Sequence, residues 1–237
     1  MSIKKLASFD LETARITEQG EEMTNLGISC AGVALTGGLG TVNNFYHAPG
    51  QLSKDQACDL VLDLLIMKKD GYTTVTWNGT GFDFRILAEE SGMWEECAEL
   101  AMNHVDMMLF VTFTKGYYLG LDTALRGMGV AEKLHEVTLK NGTVVSDFSG
   151  AKAPELWAAG EYEAVLEYLK GDIEQPLELA QKIIDQKCIK WTSGKGNPMY
   201  CAVPKFRTVK EMFKLSKPNT SWMTDPPTRE QFIEWMP

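Results

Sequence analysis

The sequence predicts an α/β domain built on a mixed sheet, on three observations. Three strand-like runs stand at the N-terminus, a fourth follows a helix, and most of the chain after residue 82 has helical spacing. Strands first, then helices with an interleaved strand, is the pattern of a layered domain that mixes antiparallel and parallel pairs in one sheet.

The first run, "IKKLASF", alternates as a half-buried strand does and leads into "DLET". "NLGISCAGVALT" (25–36) and "LGTVNNFYHA" (39–48) follow, joined at Gly37-Gly38, a dipeptide suited to a tight hairpin. Three consecutive antiparallel strands are expected. Ser53 with Gln56 three residues on is a capping-box signature, and "ACDLVLDLLIMKK" then shows apolar residues at helical spacing until Gly71. "YTTVTW" (72–77) is β-branched and aromatic, hence a fourth strand, ending at Asn78-Gly79. From about Phe82 to Met128 the pattern is helical, with breaks near Gly92, Asn103 and Gly116–Gly120. "VTLKNGTVV" (137–145) reads as a hairpin around Asn141-Gly142. Beyond Pro154 a helix is expected to about Lys187, with a break near Gly171. The last fifty residues, rich in Pro, Gly, Lys and aromatics, read as an extension wrapped on the main domain.

The 237 residues, 44% apolar and 23% charged, suffice for one large core. No secretory pattern follows "MSIKK" and no apolar run reaches membrane-spanning length, so no membrane association and a cytoplasmic location are expected. The five scattered cysteines contain no C-x-x-C pair, which argues against a disulfide framework or a zinc site. The net charge of -9 opposes general affinity for nucleic acid. It is unevenly spread: residues 186–237 hold 9 Lys/Arg against 4 Asp/Glu, a net of +5, leaving -14 for residues 1–185.

On a strand, Asp10 and Glu12 at i and i+2 share a face, where two acids repel unless a cation lies between them. An acidic turn at a fraying strand end is the plainer reading of the pair. If the fourth strand lies beside the first, Asp83 at the start of the next helix reaches the same rim; alone, it would simply favour the helix dipole. Tyr168 and Asp172 at i and i+4 share a helix face, and Pro176 removes the N–H that would bond the Asp172 carbonyl, so a kink or cap is expected there. A half-buried tyrosine beside a solvated acid is the plainer reading of that pair.

Taken together, "FDLET", "NGTGFD" and "YLKGD" resemble, in order and form, the three motifs of the DEDD 3'-5' exonucleases. Tyr-x3-Asp marks the tyrosine-type (DEDDy) branch; the histidine-type would place His at the position of Glu167. The wording looks most like the proofreading domains of family B DNA polymerases and their stand-alone relatives, over about residues 3–187. "HVDMMLF" and "LGLDTALRGMGV" also sit where the family carries helices.

The resemblance implies an RNase H-like fold over residues 1–187, with 188–237 as a basic, aromatic-containing extension. It implies metal-dependent 3'-5' hydrolysis of single-stranded nucleic acid. Asp10, Glu12, Asp83 and Asp172 would be the metal ligands, and Tyr168 would position the attacking water. Two ions about 3.5–4 Å apart serve such chemistry, and an all-carboxylate set favours Mg2+ or Mn2+. Leu11, Thr13, Asn78 and Phe82 would lie near the 3'-terminal nucleotide. The wording leans to DNA over RNA, with replication or repair as the setting of any partner. An inert module of the same fold, gripping a nucleic-acid end or a protein, is the alternative. An RNase H-type endonuclease shares the fold but has no need of the Tyr168/Asp172 pair. In the extension, Lys190, Trp191, Lys195, Tyr200, Lys205, Phe206 and Arg207 interleave cations with aromatics, as a strand-guiding surface would. If so, a folded protein lacking 190–237 would have a raised KM. Aromatics anchoring an irregular extension to the core is the competing reading.

Overall fold

The structure, a computed structural model, describes residues 5–17, 23–37 and 40–237. Its centre is a five-stranded sheet of order β3-β2-β1-β4-β5. The strands are β1 (Leu6–Thr13), β2 (Ile28–Gly37), β3 (Gly40–His47), β4 (Thr73–Thr76) and β5 (Val105–Asp106). β1, β2 and β3 pair antiparallel, whereas β4 runs parallel to both β1 and β5. The mixed sheet and its three antiparallel N-terminal strands match the sequence reading. Of the turn predicted at Gly37-Gly38, Gly38 lies outside the described residues, and pairing runs to Gly37–Gly40.

Helices cover both faces. α1 (Lys54–Lys69), α2 (Asp83–Ser91) and α3 (Trp94–Asn103) bury Leu60, Val61, Phe84 and Leu100 against Ala7, Phe9, Leu11 and Val33. The other face carries α4 (Met107–Lys115), α5 (Leu121–Met128), α6 (Ala153–Ala158) and α7 (Tyr162–Gln186), which enclose Leu6, Cys30, Ala34 and Val75. β1 is therefore buried on both faces rather than half-buried, and Asp10 is its one residue with intermediate exposure. A central strand covered by helices on either side has no solvent face to lend its polar residues.

Local signals explain most boundaries. Ser53 and Gln56 form the reciprocal capping box of α1. Left-handed Gly92, Gly116 and Gly129 close α2, α4 and α5. The small hairpin of β6 (Val137–Thr138) and β7 (Val144–Val145) lies where Asn141-Gly142 predicts it.

Three expectations need correction. β5, two residues long, was absent from the sequence reading; so short a strand has no periodicity to detect. The helix does not break at Gly171: α7 runs through it and through Pro176, because Leu169, Asp172, Ile173, Pro176 and Leu177 are buried and packing outweighs propensity. The break comes earlier, between α6 and α7, at left-handed Gly160. Finally, the extension is not simply irregular. It contains the hairpin β8 (Cys188–Thr192) and β9 (Pro198–Ala202), then the short α8 (Val209–Met212). Ile189, Trp191, Cys201, Val203, Val209, Met212 and Phe232 belong to the same core as α7. Trp191 is buried, and Phe206 stacks on Phe110 at 6.0 Å, so these two aromatics anchor the extension, while Tyr200 is exposed beside Lys115. Among the described residues no helix is long and apolar enough to cross a membrane.

Candidate metal centre

Strand alternation sets the first two acids. Ala7, Phe9 and Leu11 face α1 and α2, so Asp10 and Glu12 project toward α7 with Leu6. Asp10 lies opposite Gly32 on β2, and Glu12 opposite Cys30. Gly32 lets α7 come close: a Cβ there would lie 3.0 Å from Ile173 Cδ1 and 3.4 Å from Leu169 Cγ. That approach delivers Asp172. One carboxylate oxygen from each of Asp10, Glu12 and Asp172 lies within 4.8 Å of the others, a group able to hold a metal ion. Glycine also makes room on the far side, since a Cβ on Gly150 would stand 3.3 Å from Glu12 Oε2.

Asp83 stands apart from that group. It is buried at the start of α2, and its Oδ1 accepts the Leu11 N–H at 3.1 Å. Its charge still reaches Asp10, whose carboxyl is raised well above the usual range by burial first, then by Asp83, Asp172 and Glu12. Burial likewise pushes Glu12 up to about 8 and Asp83 up to about 7. Burial raises Asp172 as well, against the opposing pull of Lys133 and a hydrogen bond from Tyr168. So much negative charge in a desolvated cluster is what a bound cation relieves.

Lys133 is the residue that sequence reasoning missed. Its Nζ is 2.8 Å from Asp172 Oδ2 and 5.0 Å from the centre of the Tyr168 ring. It lies between α5 and β6 in a stretch without periodicity, and nothing in "AEKLHE" distinguishes it from a surface lysine. Tyr168 is buried, edge-on to Phe148 at 4.7 Å. Burial first, then Asp172, pushes its phenol above the usual range, so it keeps its proton at neutral pH.

The loop before Asp83 is held from below by Asp106. That buried carboxylate accepts the N–H of Asn78 at 3.0 Å, the N–H of Thr80 at 3.1 Å and the Thr80 hydroxyl at 2.8 Å. Asn78 adopts φ 71°, which an asparagine tolerates. Beneath it, His104 Nδ1–H donates to the Ala101 carbonyl at 2.6 Å, leaving Nε2 to accept the Thr76 hydroxyl at 2.9 Å. That pairing describes a neutral imidazole.

Asp10, Glu12 and Asp172, but not Asp83, line a cavity of about 470 Å³, together with Leu11, Thr13, Phe82, Lys133, Gly150 and Tyr168. Of the four residues expected near a bound nucleotide, Leu11, Thr13 and Phe82 line it. Asn78 does not, its backbone being committed to Asp106. No family model matches the chain, and no curated protein matches it.

Proposed function

We propose that this protein is a metal-dependent 3'-5' exonuclease of RNase H-like fold, acting on single-stranded nucleic acid with DNA favoured over RNA. One observation carries the reading: Asp10, Glu12 and Asp172 converge within 4.8 Å in a cavity whose wall includes Tyr168. The donor set is hard oxygen throughout, which fits Mg2+ or Mn2+. Asp10, Glu12 and Asp172 would hold the ions, with Asp83 completing the set, and bound ions would polarise the phosphate, activate water and stabilise the leaving oxygen.

The chain's own groups do the rest. Leu11, Thr13 and Phe82 form an apolar and hydroxyl-bearing wall for the terminal nucleotide, with Phe82 offering a ring to a base. Tyr168, kept protonated, orients the water rather than deprotonating it. Lys133, fixed beside Asp172 in the cavity wall, supplies a positive charge for a bound phosphate.

The inert-module reading draws on the same ion pair, since a lysine in the acid cluster is itself a counter-charge. A direct assay separates the two. With 5'-labelled single-stranded DNA or RNA and Mg2+ or Mn2+, the exonuclease gives a ladder shortening from the 3' end. EDTA or Asp10→Ala abolishes it, and Tyr168→Phe reduces it. Binding without shortening by the wild-type protein establishes the inert module instead.

A further inference from the structure

We propose that the C-terminal segment, through Trp235 and Phe232, is a positioning element for the candidate metal centre, acting on the loop of residues 78–82; this deepens the exonuclease reading and rests on it. Thr80 lies between Gly79 and Gly81 in a tight turn whose own bonds, from the Gly81 and Phe82 N–H groups to the Asn78 carbonyl, set its shape, while contacts from outside the turn hold it in place. Every polar group of Thr80 is engaged. Its N–H and hydroxyl donate to Asp106, and its carbonyl accepts the Trp235 indole N–H at 2.9 Å. Phe232, itself buried, lies against Gly81 so closely that a Cβ there would stand 3.1 Å from Phe232 Cδ1.

The segment that makes these contacts is firmly seated. The buried Arg229 guanidinium donates to the carbonyls of Phe113, Phe213, Leu215 and Ser216 and lies over the Phe113 ring at 4.8 Å. Trp235 rests against Trp94, with ring centres 6.4 Å apart. A tail that only covered core would have no reason to bond this loop. The residues next in line are Phe82, in the cavity wall, and Asp83, bonded to the Leu11 N–H. Asp106 on one side and Trp235 on the other fix where those two side chains stand.

Trp235→Phe keeps an aromatic ring against Trp94 but removes the indole N–H, which the Thr80 and Phe232 carbonyls share, together with part of the bicyclic ring. With Mg2+ and single-stranded DNA, kcat per folded molecule should fall about fivefold, the scale of one neutral hydrogen bond, while KM changes less. Gly81→Ala should lower kcat by displacing Phe232, and Phe232→Leu in the Gly81→Ala background should restore part of it. A Trp235→Phe protein with a lowered melting temperature but wild-type kcat, or no rescue in the double variant, overturns the proposal. If the wild-type protein shortens no DNA, the exonuclease reading fails by itself. Calorimetric Mn2+ affinity then decides the positioning role: several-fold weaker binding in Trp235→Phe supports it, and equal binding overturns it.

Discussion

Lys133 and the four acids form an electrostatic unit whose metal-free state is under strain, and pH exposes it. Glu12 and Asp83 titrate near 8 and 7 in the folded chain, against ordinary values of 4.5 and 3.8. Between those limits the native state holds protons that the unfolded state has released, so stability falls as pH rises. The EDTA-treated protein should therefore be more stable at pH 5 than at pH 8 by urea unfolding, and Mg2+ or Mn2+ should offset the loss at pH 8. A flat profile in EDTA contradicts this charge arrangement. Asp10→Asn removes a buried carboxyl that burial and its acidic neighbours make costly to ionise, so at pH 8 in EDTA it should raise the melting temperature while weakening Mn2+ binding. Lys133→Met should do the reverse to stability in EDTA, costing about 1–3 kcal/mol, because Asp172 loses its partner. At this scale the sequence displayed Asp10, Glu12, Tyr168 and Asp172, since regular periods of strand and helix convert spacing into direction. Lys133 and Gly150 were invisible, because irregular segments give spacing no such meaning.

Among the elements, α7 matters most, and its position depends on the absence of a side chain at Gly32. Gly32→Ala would push a methyl to 3.0 Å from Ile173 Cδ1. It should destabilise by about 1–3 kcal/mol through overpacking, and it should also weaken Mn2+ binding because Asp172 moves with the helix. Stability loss with unchanged Mn2+ affinity would show that the helix shift does not reach the acids. The continuity of α7 also explains why a break was expected where none exists. Gly171 and Pro176 are poor helix formers taken singly, but the row of buried neighbours on either side holds the turn together. The capping box at Ser53 was legible because both of its partners are local; β5 and the β8–β9 hairpin owe their existence to distant packing.

At the scale of the whole molecule, the order β3-β2-β1-β4-β5 puts β1 at the centre, and the chain's remote parts meet at its C-terminal end. The three antiparallel strands and the mixed, layered sheet were legible because hydrophobic patterning and turn residues specify them together, whereas the place of β4 beside β1 entered only as a condition and β5 not at all. The role of the extension was not, since composition alone cannot separate a guiding surface from a core layer. Its charge asymmetry belongs to its surface, while Trp191, Val203, Val209 and Phe232 belong to the interior. Deleting residues 190–237 should therefore yield insoluble or dye-binding, partly unfolded protein rather than a folded enzyme with altered KM. A soluble, cooperatively folding truncation would refute that integration. Charge reversal at Lys195 or Lys205, both exposed, is the fitting probe of strand guidance.

The bond from Trp235 to Thr80 spans 155 residues of chain. During synthesis at about 5–20 residues per second, roughly 8–30 s separate the emergence of its two ends. Throughout that interval the glycine-flanked loop lacks its rear support, and until α7 emerges Asp172 is absent as well. The candidate centre is thus assembled late, so a chain still being made carries Asp10, Glu12 and Asp83 without the arrangement that could hold a metal ion.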